Sequence, residues 1–161
     1  MAELFGCERV TELMEQILET LQEYERQTDS MINADLETIQ KGLIARNELI
    51  EDLEDLKISV EGAIECEEES ERQLLNALVH GSYVGVTLDE AHKNLQLIQR
   101  SITIAKQRIL DKDRVISGQF RNQHMDSRRE LEQLKQTKQK IGYYNSAVVG
   151  RATGQSFNKN L

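Results

Sequence analysis

The side chains able to do chemistry are few: three histidines, His80, His92 and His124, and two cysteines, Cys7 and Cys66. Zinc sites and nucleophilic triads need converging groups, which short motifs such as HExxH or CxxC supply by their spacing. Neither the histidines nor the cysteines have such a spacing. We therefore predict no catalytic residue, no metal site and no cofactor, with both cysteines reduced in the cytoplasm.

Phosphotransfer is the enzyme-like alternative that the histidines leave open. Helical phosphotransfer domains present one exposed histidine in the pattern H-x-x-K-G, and His92 stands early in a predicted helix. Leu95 occupies the place where that pattern has its lysine. The sequence therefore predicts a protein that is not an enzyme.

The elements that would position these residues are long helices. The 161 residues include no proline and no tryptophan, with 30% charged and 4% aromatic residues, which is typical of long helices. Apolar residues recurring every three or four positions predict helices at about 8–32, 35–79 and 87–147. We expect an all-α fold, an elongated, coiled-coil-like antiparallel bundle of three long helices over residues 1–149, and a flexible tail at 150–161.

Two breaks separate the predicted helices. Asp35, after Asn33 and Ala34, can accept the first N–H groups of the second helix as an N-cap. Gly81 and Gly85 supply the backbone freedom for a reversal. Beyond them, Thr87 followed three residues later by Glu90 in Thr87-Leu88-Asp89-Glu90 predicts a capping box at the start of the third helix. Gly118 and Gly142 leave open whether the third helix is continuous.

The helix lengths predict a register. Folding about the glycines sets Leu36 opposite the vicinity of Glu132, so that the first helix covers only residues 36–60 and 108–132. Residues 61–80 and 88–107 would then form a two-helix extension.

The end of the third helix has no partner in that arrangement, yet it remains apolar. Unpartnered apolar side chains favour a partner-binding surface over fraying or folding back. Leu97 and Ile104 form a second, weaker candidate patch. The predicted partner-binding residues are Leu131, Leu134, Ile141, Tyr143, Tyr144, Val148 and Phe157.

Charge is divided between the two halves of the chain. Residues 1–80 carry a net charge of −15 and residues 81–161 carry +7, so the arms of a helical hairpin would attract each other. Acidic residues interrupt the basic half and no aromatic residues flank its lysines and arginines, so we do not expect nucleic-acid binding. No apolar run is long enough to span a bilayer and no signal peptide begins the chain, so we expect no membrane insertion.

Three segments carry a family resemblance: LQEYE at 21–25, DLETI at 35–39 and RNELIEDL at 46–53. With the long last helix, its tyrosines and the tail GQSFNK at 154–159, they resemble the FlgN and FliT families of flagellar export chaperones. The resemblance implies a cytoplasmic chaperone for type III secretion in flagellum assembly. Its clients would be the C-terminal segments of hook-associated (hook-filament junction) proteins, kept unassembled and delivered to the export apparatus. The alternative is a non-catalytic coiled-coil scaffold or adaptor that forms a homo-oligomer.

Overall fold

The part of the chain that can be described is built from helices alone. The computed structural model describes residues 2–138, and the side chains of residues 6–133. This part is all-helical, as predicted, but it has four helices where three were expected: α1 Ala2–Met31, α2 Leu36–Glu65, α3 Glu69–Val79 and α4 Glu90–Lys138. The predicted tail at 150–161 and the predicted helix end at 147 lie outside the described residues.

A short turn joins α1 to α2. Asn33 adopts a positive φ of 57°, a conformation that asparagine tolerates well. Asp35 follows as the N-cap of α2, and its Oδ1 accepts a hydrogen bond of 2.8 Å from the N–H of Thr38. Hydrogen bonding to Thr38 also holds the pKa of Asp35 below its usual value. The predicted N-cap is therefore confirmed.

The predicted single helix at 35–79 is wrong, because the chain breaks between α2 and α3. The backbone N–H groups of Cys66 and Glu67 both donate hydrogen bonds to the carbonyl oxygen of Ile64. Glu68 is extended, with φ −63° and ψ 156°, and α3 begins after it. Like charges three and four residues apart destabilise a helix, and the acidic run around this point supplies several such pairs. The break redirects α3 toward the rest of the bundle.

The loop from α3 to α4 reverses the chain near the predicted glycines. Gly81 has a φ of +70°, the left-handed conformation that glycine adopts most easily. Asp89 directly precedes α4, and its Oδ1 accepts a hydrogen bond of 2.9 Å from the N–H of His92. Asp89 therefore takes the capping role predicted for Thr87, and α4 begins three residues later than expected.

Helix α1 lies between α2 and α4 and packs along both of them, whereas α2 and α4 approach each other much less closely. It runs antiparallel to α2: the Met31 side chain lies against Gly42 at one end, and Glu67 lies against Gly6 at the other. The core is formed by one face of each helix, and α1 supplies the largest share of its buried residues. Its members include Val10, Leu13, Met14, Leu21, Val60, Ile64, Leu75, Leu78, Leu95, Ile102 and Ile109.

The predicted pairing of Leu36 with Glu132 is wrong. Gln119 of α4 accepts a 3.1 Å hydrogen bond from the backbone N–H of Asn33 at the α1–α2 turn, and Leu36 is 45% exposed. Phe120 is the last residue of α4 in the apolar cluster at this end of the bundle. The break between α2 and α3 shortens the distance that the first arm spans along the bundle, because α3 does not continue the line of α2. Residues of α4 therefore reach the turn earlier than a straight hairpin would bring them.

The predicted two-helix extension is also wrong. Helix α1 starts at Ala2 rather than near residue 8, and it is long enough to reach α3. Cys7 and Val10 are fully buried in the same core as Leu75 and Leu95, in the region expected to lack a third helix.

Ion pairs join the acidic half of the chain to the basic half. Glu25 of α1 accepts hydrogen bonds from Arg108 Nε at 3.0 Å and from Lys112 Nζ at 2.9 Å. Lys112 also lies 2.6 Å from Asp29. Hydrogen bonds from Arg108 and Lys112 lower the pKa of Glu25 to about 2. The predicted attraction between the two halves thus acts between α1 and α4.

Candidate functional site

A groove runs between α2 and α4, with α1 as its floor. Because the two outer helices both pack on α1 and stay apart from each other, apolar side chains of α1 line the space between them, and Ile17 is the partly exposed one. Met14, Ile17 and Leu21 form this floor. The cavity volume is about 420 Å³. The walls are lined by Ile50, Leu53, Glu54, Lys57, Val60, Glu61, Ile64, Asn76, Val79, His80, Gln99, Ile102 and Lys106.

The shape and chemistry of the groove fit a helix. Its wall on α2 extends over residues 50–64, which is about 21 Å of helix. The floor is apolar, whereas Glu54, Lys57 and Glu61 along one rim and Lys106 along the other carry charges of both signs. A partner helix with apolar residues on one face and mixed charges beside them would satisfy both features.

A buried charged cluster ties α2 to α4 near one end of the groove. Arg46 of α2 donates to both carboxylate oxygens of Asp113 of α4, at 2.7 and 3.1 Å. Its guanidinium also lies 4.3 Å from the ring centroid of Tyr24 of α1 and donates to the Tyr24 hydroxyl. The side chains of Arg46 and Asp113 are only 2% and 4% exposed. The pair fixes the separation of the two walls.

The sequence contained a signal for this cluster that the prediction missed. Arg46 lies three residues after Leu43 and four before Ile50, and Asp113 lies four residues after Ile109 and three before Ile116. Both are therefore charged residues at inward-facing positions of their helices. A charge at such a position requires a buried partner, and the two residues supply it for each other.

A second polar cluster lies where α1, α3 and α4 meet. His92 Nε2 is 2.6 Å from Glu71 Oε1, and His92 Nδ1 is 2.6 Å from Asp89 Oδ1. Cys7 lies beside them, and its Sγ, a Glu71 oxygen and a ring nitrogen of His92 all lie within 4.8 Å of one another. All three of these residues are buried. The fold thus brings together the Cys7 thiol, the Glu71 carboxylate and the His92 imidazole, which lie far apart in the sequence.

The ionisation of this cluster follows from its contacts. Burial lowers the pKa of His92, but hydrogen bonds and charge from Glu71 and Asp89 outweigh it, so the pKa is raised overall. Burial raises the pKa of the Cys7 thiol to about 11, which keeps the thiol protonated near neutral pH. A protonated, buried thiol is a poor nucleophile.

These contacts also bear on phosphotransfer. His92 is only 8% exposed, and each of its ring nitrogens faces a carboxylate. A phosphoryl donor would need access to one of those nitrogens, so the geometry does not favour His92 as a phosphate acceptor.

The predicted partner-binding residues lie at the far end of α4. Residues 121–130 are exposed apart from the half-buried His124, so α4 continues past the α1–α2 turn as an exposed helix. Leu131 is half-buried on this segment, and Leu134 lies on the same helix. The other predicted contacts, Ile141, Tyr143, Tyr144, Val148 and Phe157, lie outside the described residues. The weaker patch of Leu97 and Ile104 is exposed, at 56% for each residue.

A check for membrane-spanning helices and a comparison with known proteins complete the description of the chain. In the described part of the chain, no helix has both the length and the apolar character that crossing a bilayer requires. Searches with the sequence and the fold found no matching protein-family model, curated protein or solved structure.

Proposed function

We propose that the protein is a non-catalytic chaperone that binds an amphipathic helix of a partner protein in the groove between α2 and α4. The observation that supports this most strongly is the apolar floor of the groove, formed by the half-buried Ile17 and by the buried side chains of Met14 and Leu21. Docking of one partner helix would cover this floor. Helices α1, α2 and α4 would then form a four-helix arrangement with the partner helix.

The partner we propose is a flagellar hook-associated protein, recognised through a helix in its C-terminal segment. This choice rests on the resemblance of segments 21–25, 35–39 and 46–53 to FlgN and FliT chaperones. Secretion substrates of this kind assemble through terminal helices, so masking one such helix in the cytoplasm would keep the subunit unassembled. Release at the type III export apparatus would then require reversible binding.

The size of the groove favours moderate affinity. A floor of three apolar residues accommodates about three anchoring side chains, each contributing roughly 2 kcal/mol through burial. Ordering the partner helix offsets part of this gain. We therefore expect a Kd in the micromolar range or weaker, which suits a client that must be released.

The direct test uses peptides that correspond to the C-terminal helices of hook-associated proteins. Binding of a fluorescently labelled peptide is measured by polarisation for the wild type and two charged variants. Ile17→Glu places a carboxylate in the groove floor and should weaken binding at least tenfold. Ile58→Glu makes the same change at a residue that is 65% exposed and does not line the groove, so it should leave the Kd unchanged.

Circular dichroism and urea unfolding of both variants separate a binding defect from a folding defect. Equal affinities of the folded Ile17→Glu and Ile58→Glu variants would rule out the groove as the binding site. If no hook-associated peptide binds, the client assignment fails, even where other amphipathic helices do bind.

The end of α4 remains a predicted second contact. Residues Leu131, Leu134, Ile141, Tyr143, Tyr144, Val148 and Phe157 would extend the bound surface beyond the groove. A truncation after residue 130 should weaken peptide binding while leaving the groove intact. Unchanged affinity in calorimetry would exclude this second contact and leave the groove proposal standing.

A scaffold that self-associates is the second candidate, and one observation favours it. Leu97, Ile104 and Val115 are exposed by 56%, 56% and 51%, and their spacings of seven and eleven residues put them on one face of α4. Such a stripe is suited to pairing between two copies. Sedimentation equilibrium separates the candidates: the chaperone proposal expects a monomer without client, and the scaffold expects a concentration-dependent oligomer.

A further inference from the structure

We propose that Cys7, Glu71 and His92 form a zinc-binding site that joins α1, α3 and α4. The three side chains come from three different helices and are all buried, with exposed fractions of 0%, 7% and 8%. This site is separate from the groove, and the proposal does not depend on the proposed chaperone function.

The geometry of the three donors is close to that of a metal site. Their ligand atoms all lie within 4.8 Å of one another, and His92 Nε2 already faces Glu71 Oε1 at 2.6 Å. Tetrahedral zinc, with bonds of about 2.0–2.3 Å, holds neighbouring ligand atoms roughly 3.3–3.8 Å apart. Shifts of about 1 Å in side-chain position would therefore accommodate the ion, and a water molecule could complete the fourth position.

Asp89 provides the support that metal-binding histidines usually have. Its Oδ1 lies 2.6 Å from His92 Nδ1, and it also caps α4 through the His92 N–H at 2.9 Å. A carboxylate on Nδ1 directs the other ring nitrogen, Nε2, toward the metal and makes it a better ligand. Nε2 is the nitrogen that faces Glu71.

Local packing brings Cys7 to the other two ligands. Gly6, its neighbour, lies so close to Glu67 that a Cβ at this position would be 1.8 Å from Glu67 Oε1. The absence of a side chain thus lets α1 approach the break between α2 and α3, and that break places Glu71 at an inward-facing position.

The donor set selects the class of metal. A thiolate, an imidazole and a carboxylate together suit zinc, whereas calcium and magnesium prefer sites made of oxygen alone. Binding would release the thiol proton of Cys7, because zinc coordinates the thiolate. The Cys7 thiolate and the Glu71 carboxylate would then offset the charge of the divalent cation, which avoids leaving an uncompensated charge in the core.

The test uses the full chain, stripped of metal with a chelator, and titrated with cobalt(II) and with zinc. Cobalt bound by a thiolate gives a sulfur-to-metal charge-transfer absorption, and zinc should displace it at one equivalent. The thermal midpoint of unfolding should also rise with zinc. Both signals should be lost in Cys7→Ser, whereas Cys66→Ser is the matched control, because Cys66 is exposed and lies outside the cluster.

A second variant guards against a folding defect in Cys7→Ser. Asp89→Asn keeps an N-cap residue but removes the carboxylate charge that faces His92 Nδ1. It should therefore weaken zinc binding about 10–100-fold while the protein stays folded. The proposal is overturned if the wild type gives no charge-transfer absorption, or if Cys66→Ser abolishes it. Unchanged zinc affinity in both Cys7→Ser and Asp89→Asn would equally overturn it.

Discussion

Removing the carboxylate of Asp113 tests whether the buried pair with Arg46 holds α2 and α4 in place. The two side chains are 2% and 4% exposed, and the pair is joined by hydrogen bonds of 2.7 and 3.1 Å. In Asp113→Ala the Arg46 guanidinium keeps, within the described part of the chain, only its contacts with Tyr24 and the sulfur of Met31. A buried charge that loses its partner typically costs about 3–5 kcal/mol of unfolding free energy. That is a large share of the roughly 5–15 kcal/mol by which domains are stable.

Urea unfolding followed by circular dichroism measures this loss, with Asp111→Ala as the matched control. The Asp111 side chain is 59% exposed and, among the described residues, pairs only with neighbours on its own helix, so its loss should change stability by less than about 0.5 kcal/mol. Replacing both partners, with Arg46→Met and Asp113→Leu, should recover most of the stability, because no uncompensated charge remains. A loss below about 1 kcal/mol in Asp113→Ala would show that the buried pair does not hold α2 and α4 in place.

Further predictions concern the ion pairs and the glycines. The pKa of Glu25 is about 2 when folded, against an ordinary value of 4.5, so its stabilisation is complete above pH 4.5 and is lost as the pH falls toward 2. Unfolding at graded pH should therefore show a shallower acid dependence in Glu25→Gln; an identical dependence would contradict this. Gly81→Ala should destabilise by about 1–2 kcal/mol because of its φ of +70° and the nearby Gln99 side chain, while Gly85→Ala should have little effect. Thermal unfolding should show stabilisation by Gly62→Ala of about 0.5–1 kcal/mol, since nothing lies within 4 Å of the added methyl group. Gly42→Ala should be destabilising because Met31 Cγ would be 2.5 Å away, and equal effects at the two sites would count against the packing described.

Local chemistry made the helices and their ends largely predictable. Asp35 could be assigned as an N-cap because its role depends only on the next three residues. Gly81 could be assigned to the reversal because positive φ favours glycine. The helical class followed from composition and from apolar spacing, which are also local properties of the chain.

The register of the helices could not be predicted in the same way. The break after Glu65 has neither glycine nor proline to mark it, and it depends on a balance between like-charge repulsion and helix propagation. An error at that point displaced every pairing of α4, including the expected contact of Leu36 with Glu132. It also concealed the groove, because the groove exists only where α1 separates α2 from α4.

The polar clusters had a partial signal in the sequence. Arg46, Asp113, Glu71 and His92 each stand at an inward-facing position of an apolar helix pattern. That position shows that each residue must find a buried partner, but it does not show which one. The partners of Cys7 could not be predicted either, since Cys7 meets Glu71 and His92 only through the packing of three helices.

Site-specific photo-crosslinking tests the central proposal most directly. A photoreactive amino acid is placed either at Lys57, which lines the groove, or at the adjacent Ile58, which is 65% exposed and does not line it. The two probes lie about 100° apart on α2, and both replace exposed residues, so neither should disturb folding. Helix binding in the groove should give efficient crosslinking of a hook-associated helix peptide from position 57 and little from position 58. Equal yields, or a higher yield from position 58, would contradict helix binding in the groove.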